Sequence, residues 1–192
     1  MSDDIFIRSR QIVARGFGVL ERMVVERKRF DGGMQTSNLE VYDSGDGVAI
    51  LLYDPQRSRV VLVRQFRGPA YLRGRHESLI EVCAGRLEGE DPESRIVKEV
   101  EEETGIIVRK PVRLFEAFMS PGCFCEKIIF FVAPYALTDK TAKGGGLDDE
   151  DIEILEPTFG EALAMIDTGM IIDAKTIMLL HYAKFAGLMA ER

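Results

Sequence analysis

Apolar positions along the chain fall into two periods, and the change from one to the other outlines the fold. Branched apolar residues crowd positions 48–53 and 59–66 on either side of Asp54-Pro55, a turn former, which predicts a β-hairpin. Residues 77–83 form another short run, and two longer ones, about 107–118 and 124–133, predict further strands. Between them the period lengthens. Over 92–104, Ile96, Val97 and Val100 fall on one face of a helix at about 100° per residue. Pro92 stands near its start and Gly105 just past its end, where helix termini favour them. The tail, 159–189, holds two helices broken near Gly169. Strands in the middle with helices before and after predict an α/β fold, a sheet covered on both faces. Upstream, 17–30 and 36–42 have strand character around Asp31-Gly32-Gly33, a turn signal. Residues 1–45 therefore stand apart as a β-rich arm on a main domain of 46–192. A hairpin alone is marginal in water, so the arm needs a sheet, a core or a second subunit to pack on; dimerisation is a reasonable use for it.

Composition narrows the picture. At 192 residues, 46% apolar and 30% charged, the chain is an ordinary globular one with room for one domain and an extension. Its 32 acids against 25 bases give a net charge of −7, which disfavours nucleic acid and anionic membranes as partners. No apolar run approaches the ~18 residues of a spanning helix, and the acidic start, Met1-Ser2-Asp3-Asp4, is unlike a signal peptide. The three cysteines read as reduced thiols, since Cys123-Phe124-Cys125 has neither zinc-finger nor thioredoxin spacing. A cytoplasmic protein is expected. The negative charge is concentrated: residues 90–103 hold seven acids and two bases, and 148–153 hold five acids and no base. The remainder is slightly basic.

The first cluster lies on the predicted helix, where Glu99, Glu102 and Glu103 share a face at three- and four-residue spacing. A run of Glu is most often a solvated surface. Here, however, Glu101, Glu102 and Glu103 occupy the last turn, where the helix dipole disfavours negative charge, so something positive should offset them. Convergent carboxylates suit a hard divalent cation such as Mg²⁺ or Mn²⁺. The second cluster, Asp148-Asp149-Glu150-Asp151, follows Gly144-Gly145-Gly146; it fits no EF-hand loop, and the glycines fit no P-loop. Arg64 and Arg67, at a strand end, are equally surface charges or phosphate grips. His76 and His181 are isolated and read as structural.

The run Gly85-Arg86-Leu87-Glu88-Gly89-Glu90-Asp91, followed by Lys98-Glu99-Val100-Glu101-Glu102-Glu103-Thr104-Gly105-Ile106, resembles the Nudix box, G-x5-E-x7-R-E-U-x-E-E-x-G-U. Asp91 stands in its first Glu position, or Glu90 if the gap shifts; the spacer to Lys98 is one residue short, and Lys98 replaces Arg. Arg64-Gln65-Phe66-Arg67, Met119-Ser120-Pro121-Gly122, Glu126, the glycine run and Asp173-Ala174-Lys175-Thr176 extend the resemblance, closest to the GDP-mannose pyrophosphatase branch. It implies an α/β/α sandwich with a mixed sheet and an N-terminal β arm exchanged within a homodimer. It also implies Mg²⁺-dependent hydrolysis, with Mn²⁺ an alternative metal, of the pyrophosphate of a nucleotide sugar, foremost GDP-mannose to GMP and mannose 1-phosphate. ADP-ribose is the nearest alternative substrate. A non-catalytic nucleotide-binding module is disfavoured by the intact acids. Carried over residue by residue, the metal falls to the Ala84 carbonyl, Glu99, Glu103 and Glu150, with Glu102 a ligand or a partner to one. Catalysis falls to Glu103 and Glu150, with Asp151 or Asp149 as base. The substrate falls to Arg67, Gly85, Arg86, Glu126, Asp149 and Lys175, and, across the dimer, to Phe17, Asn38, Leu39 and Glu40. A flexible glycine hinge would let the second acidic loop close over substrate.

Overall fold

The structure is a computed structural model and describes residues 4–74, 78–147 and 150–189. The chain divides into two compact units, one made of the residues up to Asp46 together with Ala117–Lys127, the other of Gly47–Glu116 and the chain from Ile128 onward.

The first unit is built on a three-stranded antiparallel sheet in the order β1 (Ile5–Arg15), β2 (Val19–Lys28), β3 (Met34–Asp43). Strand β1 was not expected from the sequence: every residue in it is exposed, so no buried face imposes an alternation to read. Phe17, placed in a strand by the sequence, lies instead in the turn between β1 and β2. Gly18 beside it is required by packing, since a methyl group there would meet the Asp43 carbonyl at 2.5 Å. The 117–127 segment is tied on through Tyr42, whose amide donates to the Cys123 carbonyl at 2.8 Å and whose carbonyl accepts from Cys125 at 3.0 Å.

The second unit centres on β4 (Gly47–Asp54), an unbroken apolar run because it is covered on both faces. It pairs antiparallel with β5 (Arg59–Gln65) and β7 (Cys83–Arg86) and parallel with β9 (Lys127–Pro134), so the sheet is mixed. Its main path runs β10 (Glu153–Leu155), β5, β4, β9, β8 (Val112–Phe118), while β6 (Leu79–Glu81) pairs with β5. On one face Val48, Ile50, Leu52 and Phe131 pack with Ile96 and Val100 of helix α2 (Pro92–Thr104). On the other, Phe130 meets Phe115 at 4.9 Å, and Phe115 meets Tyr182 at 6.1 Å. Tyr182 belongs to α4 (Ala174–Phe185), which follows α3 (Phe159–Asp167); a one-turn α1 (Gly68–Leu72) follows β5. Among the described residues no helix is long and apolar enough to cross a membrane.

Like β1, strand β10 was not expected from the sequence, and three predicted strands differ in their limits. The run at 77–83 is divided at Val82, whose amide turns to Thr176 Oγ1 at 2.8 Å rather than to a neighbouring strand. Strand β8 begins at Val112, after Pro111, because proline supplies no ladder donor. Glu126 precedes β9 rather than lying within it.

Candidate active site

Helix α2 opens on a cap. Asp91 accepts from the amide and the hydroxyl of Ser94, both at 3.0 Å, and these bonds hold its carboxyl below the usual range. The residue in the first acidic position of the box is thus spent on starting the helix, and Glu90 beside it pairs with Lys98. With Ile96 and Val100 turned into the core, the rotation of α2 is fixed, and Glu99 and Glu103 are carried below the surface while Glu102 is half-buried. Glu99 lies on Gly85 of β7: a methyl group at Gly85 would stand 1.5 Å from Glu99 Oε1. The glycine exists to leave that space. Burial raises the Glu99 carboxyl, with Arg95 opposing and Glu102 and Glu150 adding to the shift.

Glu103 is 3% exposed, and its Oε2 has no hydrogen-bond partner. Burial pushes its carboxyl up to about 8, against the Cys83 thiol that hydrogen-bonds to it; Glu99 and Glu150 push the same way, and Arg67 opposes them. Burial raises the Cys83 thiol well above its ordinary value too, with Glu103 adding to it. A buried, unpartnered carboxylate oxygen among other carboxylates is chemically suited to a divalent cation, and the donors are all oxygen. The side chains are not closed around a point: among the described residues no three of His, Cys, Asp and Glu are gathered tightly enough to hold an ion as they stand.

The cationic half of the site is organised by Glu81, a buried acid the sequence reading passed over. Arg67 grips it through Nε at 2.8 Å and Nη2 at 3.1 Å, and Lys175 Nζ approaches at 3.4 Å. Burial opposes the charge of Arg67 and of Lys175. Glu81 outweighs it for Arg67, and Asp173 and Glu81 do so for Lys175, so both stay protonated beyond their ordinary ranges. Asp173 also caps α4, accepting from the Thr176 amide and hydroxyl at 2.9 and 2.7 Å. The five residues from Glu81 to Gly85 therefore form a spine. Glu81 holds the cations, Val82 holds α4 through Thr176, Cys83 meets Glu103, and Gly85 makes room for Glu99.

The carbonyls of the last helical turn find donors without any basic side chain. Gly105, in the left-handed conformation, donates to Glu101, Gly145 to Glu103 at 2.9 Å, and Gly146 to Glu102 at 3.1 Å. Gly145 and Gly146 of the glycine run thus cap α2. They also bring Glu150, whose Oε2 accepts from the Leu147 amide at 3.1 Å, near enough to raise both Glu99 and Glu103.

Residues 43–177 match the NUDIX domain. The chain belongs to the Nudix family. It is 44% identical over 191 residues to a GDP-mannose pyrophosphatase of Klebsiella pneumoniae, covering 99% of this chain and 96% of the relative. The corresponding enzyme of Pectobacterium atrosepticum is 44% identical over 192 residues, with both chains fully covered, and that of Escherichia coli 43% over 190 residues, covering 98% and 100%. Among solved structures an ADP compounds hydrolase superposes with a TM-score of 0.72 at 16% identity, covering 96% of this chain and 97% of its own, which shows the shared fold. The protein is a Nudix hydrolase, an enzyme class that uses divalent metal.

Of the residues expected to serve a Nudix site, Glu99, Glu102 and Glu103 share helix α2, Glu99 packs on Gly85, next to Ala84, and Glu150 lies near enough to influence the charge of Glu99 and Glu103. Arg67 and Lys175 meet at Glu81, close enough to Glu103 for Arg67 to respond to its charge. Arg86 ends β7, and its carbonyl accepts from Arg95 Nε at 3.0 Å. Asp151 is exposed just before β10, and Asp149, with Asp148 and His76, lies outside the described residues. Phe17, Asn38, Leu39, Glu40 and Glu126 belong to the other unit; Glu40 pairs with Arg22 at 2.8 Å. Arg64, near the end of β5 between β10 and β6, pairs with Glu153 at 2.7 Å. Sequence reasoning missed Arg95, although its four-residue spacing from Glu99 was a signal. It also missed Glu81, for which no local signal existed.

Proposed function

We propose that the protein hydrolyses the pyrophosphate of a nucleoside diphosphate sugar, GDP-mannose in the first place, to GMP and mannose 1-phosphate with Mg²⁺. The observation that carries this reading is Glu103, whose buried Oε2 lacks a partner beside Glu99 and Glu150. It gains weight from the 43–44% identity to GDP-mannose pyrophosphatases over nearly the whole chain. Glu99, Glu103 and Glu150 would hold the metal with the Ala84 carbonyl, and Glu102 supports them. Bound there, a divalent ion screens the pyrophosphate charge and lowers the pKa of a water. Arg67 and Lys175, kept charged by Glu81 and Asp173, receive the anionic substrate; Gly85 and Arg86 border it. Asp151 or Asp149 serves as general base.

The arm is assigned to a homodimer in which Phe17, Asn38, Leu39 and Glu40 complete the substrate site across the dimer, and Glu126 is assigned to the substrate. In support, Ile5, Ile7, Ile12 and Val13 of β1 are all exposed, apolar side chains that a second subunit would cover. Sedimentation of the intact protein tests this, and a monomer at micromolar concentration refutes it. The reaction is tested by incubating GDP-mannose, ADP-ribose, ADP-glucose and dinucleoside polyphosphates with protein and Mg²⁺ and identifying products by chromatography. GMP and mannose 1-phosphate as the fastest-formed pair are expected. Faster turnover of ADP-ribose would overturn the substrate, and no turnover at all the activity.

A further inference from the structure

A cation sits against the acids of α2 assigned to the metal. Arg95 is 17% exposed, pairs through Nη2 with Glu99, and places Nη1 3.9 Å from Glu102 Oε2 and 4.0 Å from Glu90 Oε1. Its Nε donates to the Arg86 carbonyl at 3.0 Å, which anchors the guanidinium against β7. Of the acids assigned to the metal, Arg95 therefore contacts Glu99 and Glu102 and leaves Glu103 Oε2 unpartnered. The acids are correspondingly not drawn to a common point.

We propose that Arg95 is the resident cation of the metal-free site and competes with the divalent metal for Glu99 and Glu102, so that it sets how much metal the enzyme requires. The inference rests on the metal site proposed above. Two physical terms give it a direction. The pair stabilises the metal-free protein, because without it Glu99 would be a buried charge lacking a partner, and a metal gains less from ligands already satisfied. A fixed positive charge beside the ligands also repels a second cation. A neutral hydrogen-bond donor would orient Glu99 with neither effect.

The experiment is Mn²⁺ binding by the full-length protein, followed by the loss of the free-ion electron paramagnetic resonance signal without substrate, with thermal melts in EDTA alongside. Arg95→Gln is expected to bind Mn²⁺ at least about tenfold more tightly, from the lost charge repulsion and competition, and to melt lower than the parent in EDTA. Arg95→Lys, which keeps the charge, should stay within about threefold of the parent if charge governs affinity. Unchanged or weaker Mn²⁺ binding by Arg95→Gln would overturn the inference while leaving the metal site standing. Equal gains in Arg95→Gln and Arg95→Lys would overturn it too, because charge would then not be the cause. If the parent bound no Mn²⁺, the metal site itself would fall, and the inference with it.

Discussion

Gly85→Ala separates the fold from the chemistry. Gly85 is a strand residue without a positive φ, so the backbone accepts alanine, and removing a glycine should by itself stabilise the protein by about 0.4–1 kcal/mol. The new methyl would stand 1.5 Å from Glu99 Oε1, 2.0 Å from its Cδ and 2.7 Å from its Cγ. None of these approaches is tolerable, yet all involve a side chain that can rotate away. Glu99 is therefore expelled, its pairing with Arg95 is lost, and the two terms oppose each other. Stability should remain within about 1 kcal/mol of the parent, or roughly 2–4 °C in Tm for a chain of this size. Function has no such compensation. The half-saturating Mg²⁺ concentration should rise about 10–100-fold, the scale on which disturbed ligands lose affinity, and kcat/KM at limiting metal should fall with it. Melting curves and a metal titration of GDP-mannose hydrolysis measure both. Gly160→Ala, where a methyl group meets nothing within 4 Å, is the control. A Gly85→Ala protein with the parent's metal requirement would refute the placement of Glu99; one that failed to fold would refute the claim that only a side chain is in the way.

Other positions test other parts of the site. Glu103→Gln should lower kcat by at least ~100-fold, as lost electrostatic stabilisation does, yet in EDTA it should melt no lower than the parent above about pH 8, where the Glu103 carboxyl ionises and the substitution removes a buried charge whose Oε2 lacks a partner. Thr176→Val leaves the Val82 amide without its acceptor and should cost about 1–3 kcal/mol, measured by urea unfolding. Gly144→Ala places a side chain at φ +64° with its methyl 2.5 Å from the Thr104 carbonyl carbon. It should destabilise by more than about 1 kcal/mol and lower activity as well, since the end of α2 loosens with the loop.

Much of this was legible because it was local. Helix α2 announces both its ends in Pro92 and Gly105 and its inner face in Ile96 and Val100, and β4 announces its burial on both faces by an unbroken apolar run. The acids proposed to bind the metal were picked out by their spacing on that helix. What escaped was set by distance along the chain. Glu81 acquires its meaning from Arg67 and from Lys175, 94 residues away, and alone it is one more acid in a strand. That the glycine run caps α2 was not legible, because its bonding partners, the carbonyls of Glu102 and Glu103, lie far upstream. At the end of α2 glycine amides meet the carbonyls, and of the last-turn acids Arg95 reaches Glu102, at 3.9 Å; the carboxylate pattern reveals neither.

The glycine cap also has a mechanical side. It fastens the acidic end of α2 to the loop that bears Glu150, so a few backbone hydrogen bonds hold like charges near one another. Such a joint is weakest when bare and tightens when countercharge arrives between its halves. The end of the helix and the loop that bears Glu150 would then stiffen as one body on loading, without any separate moving part.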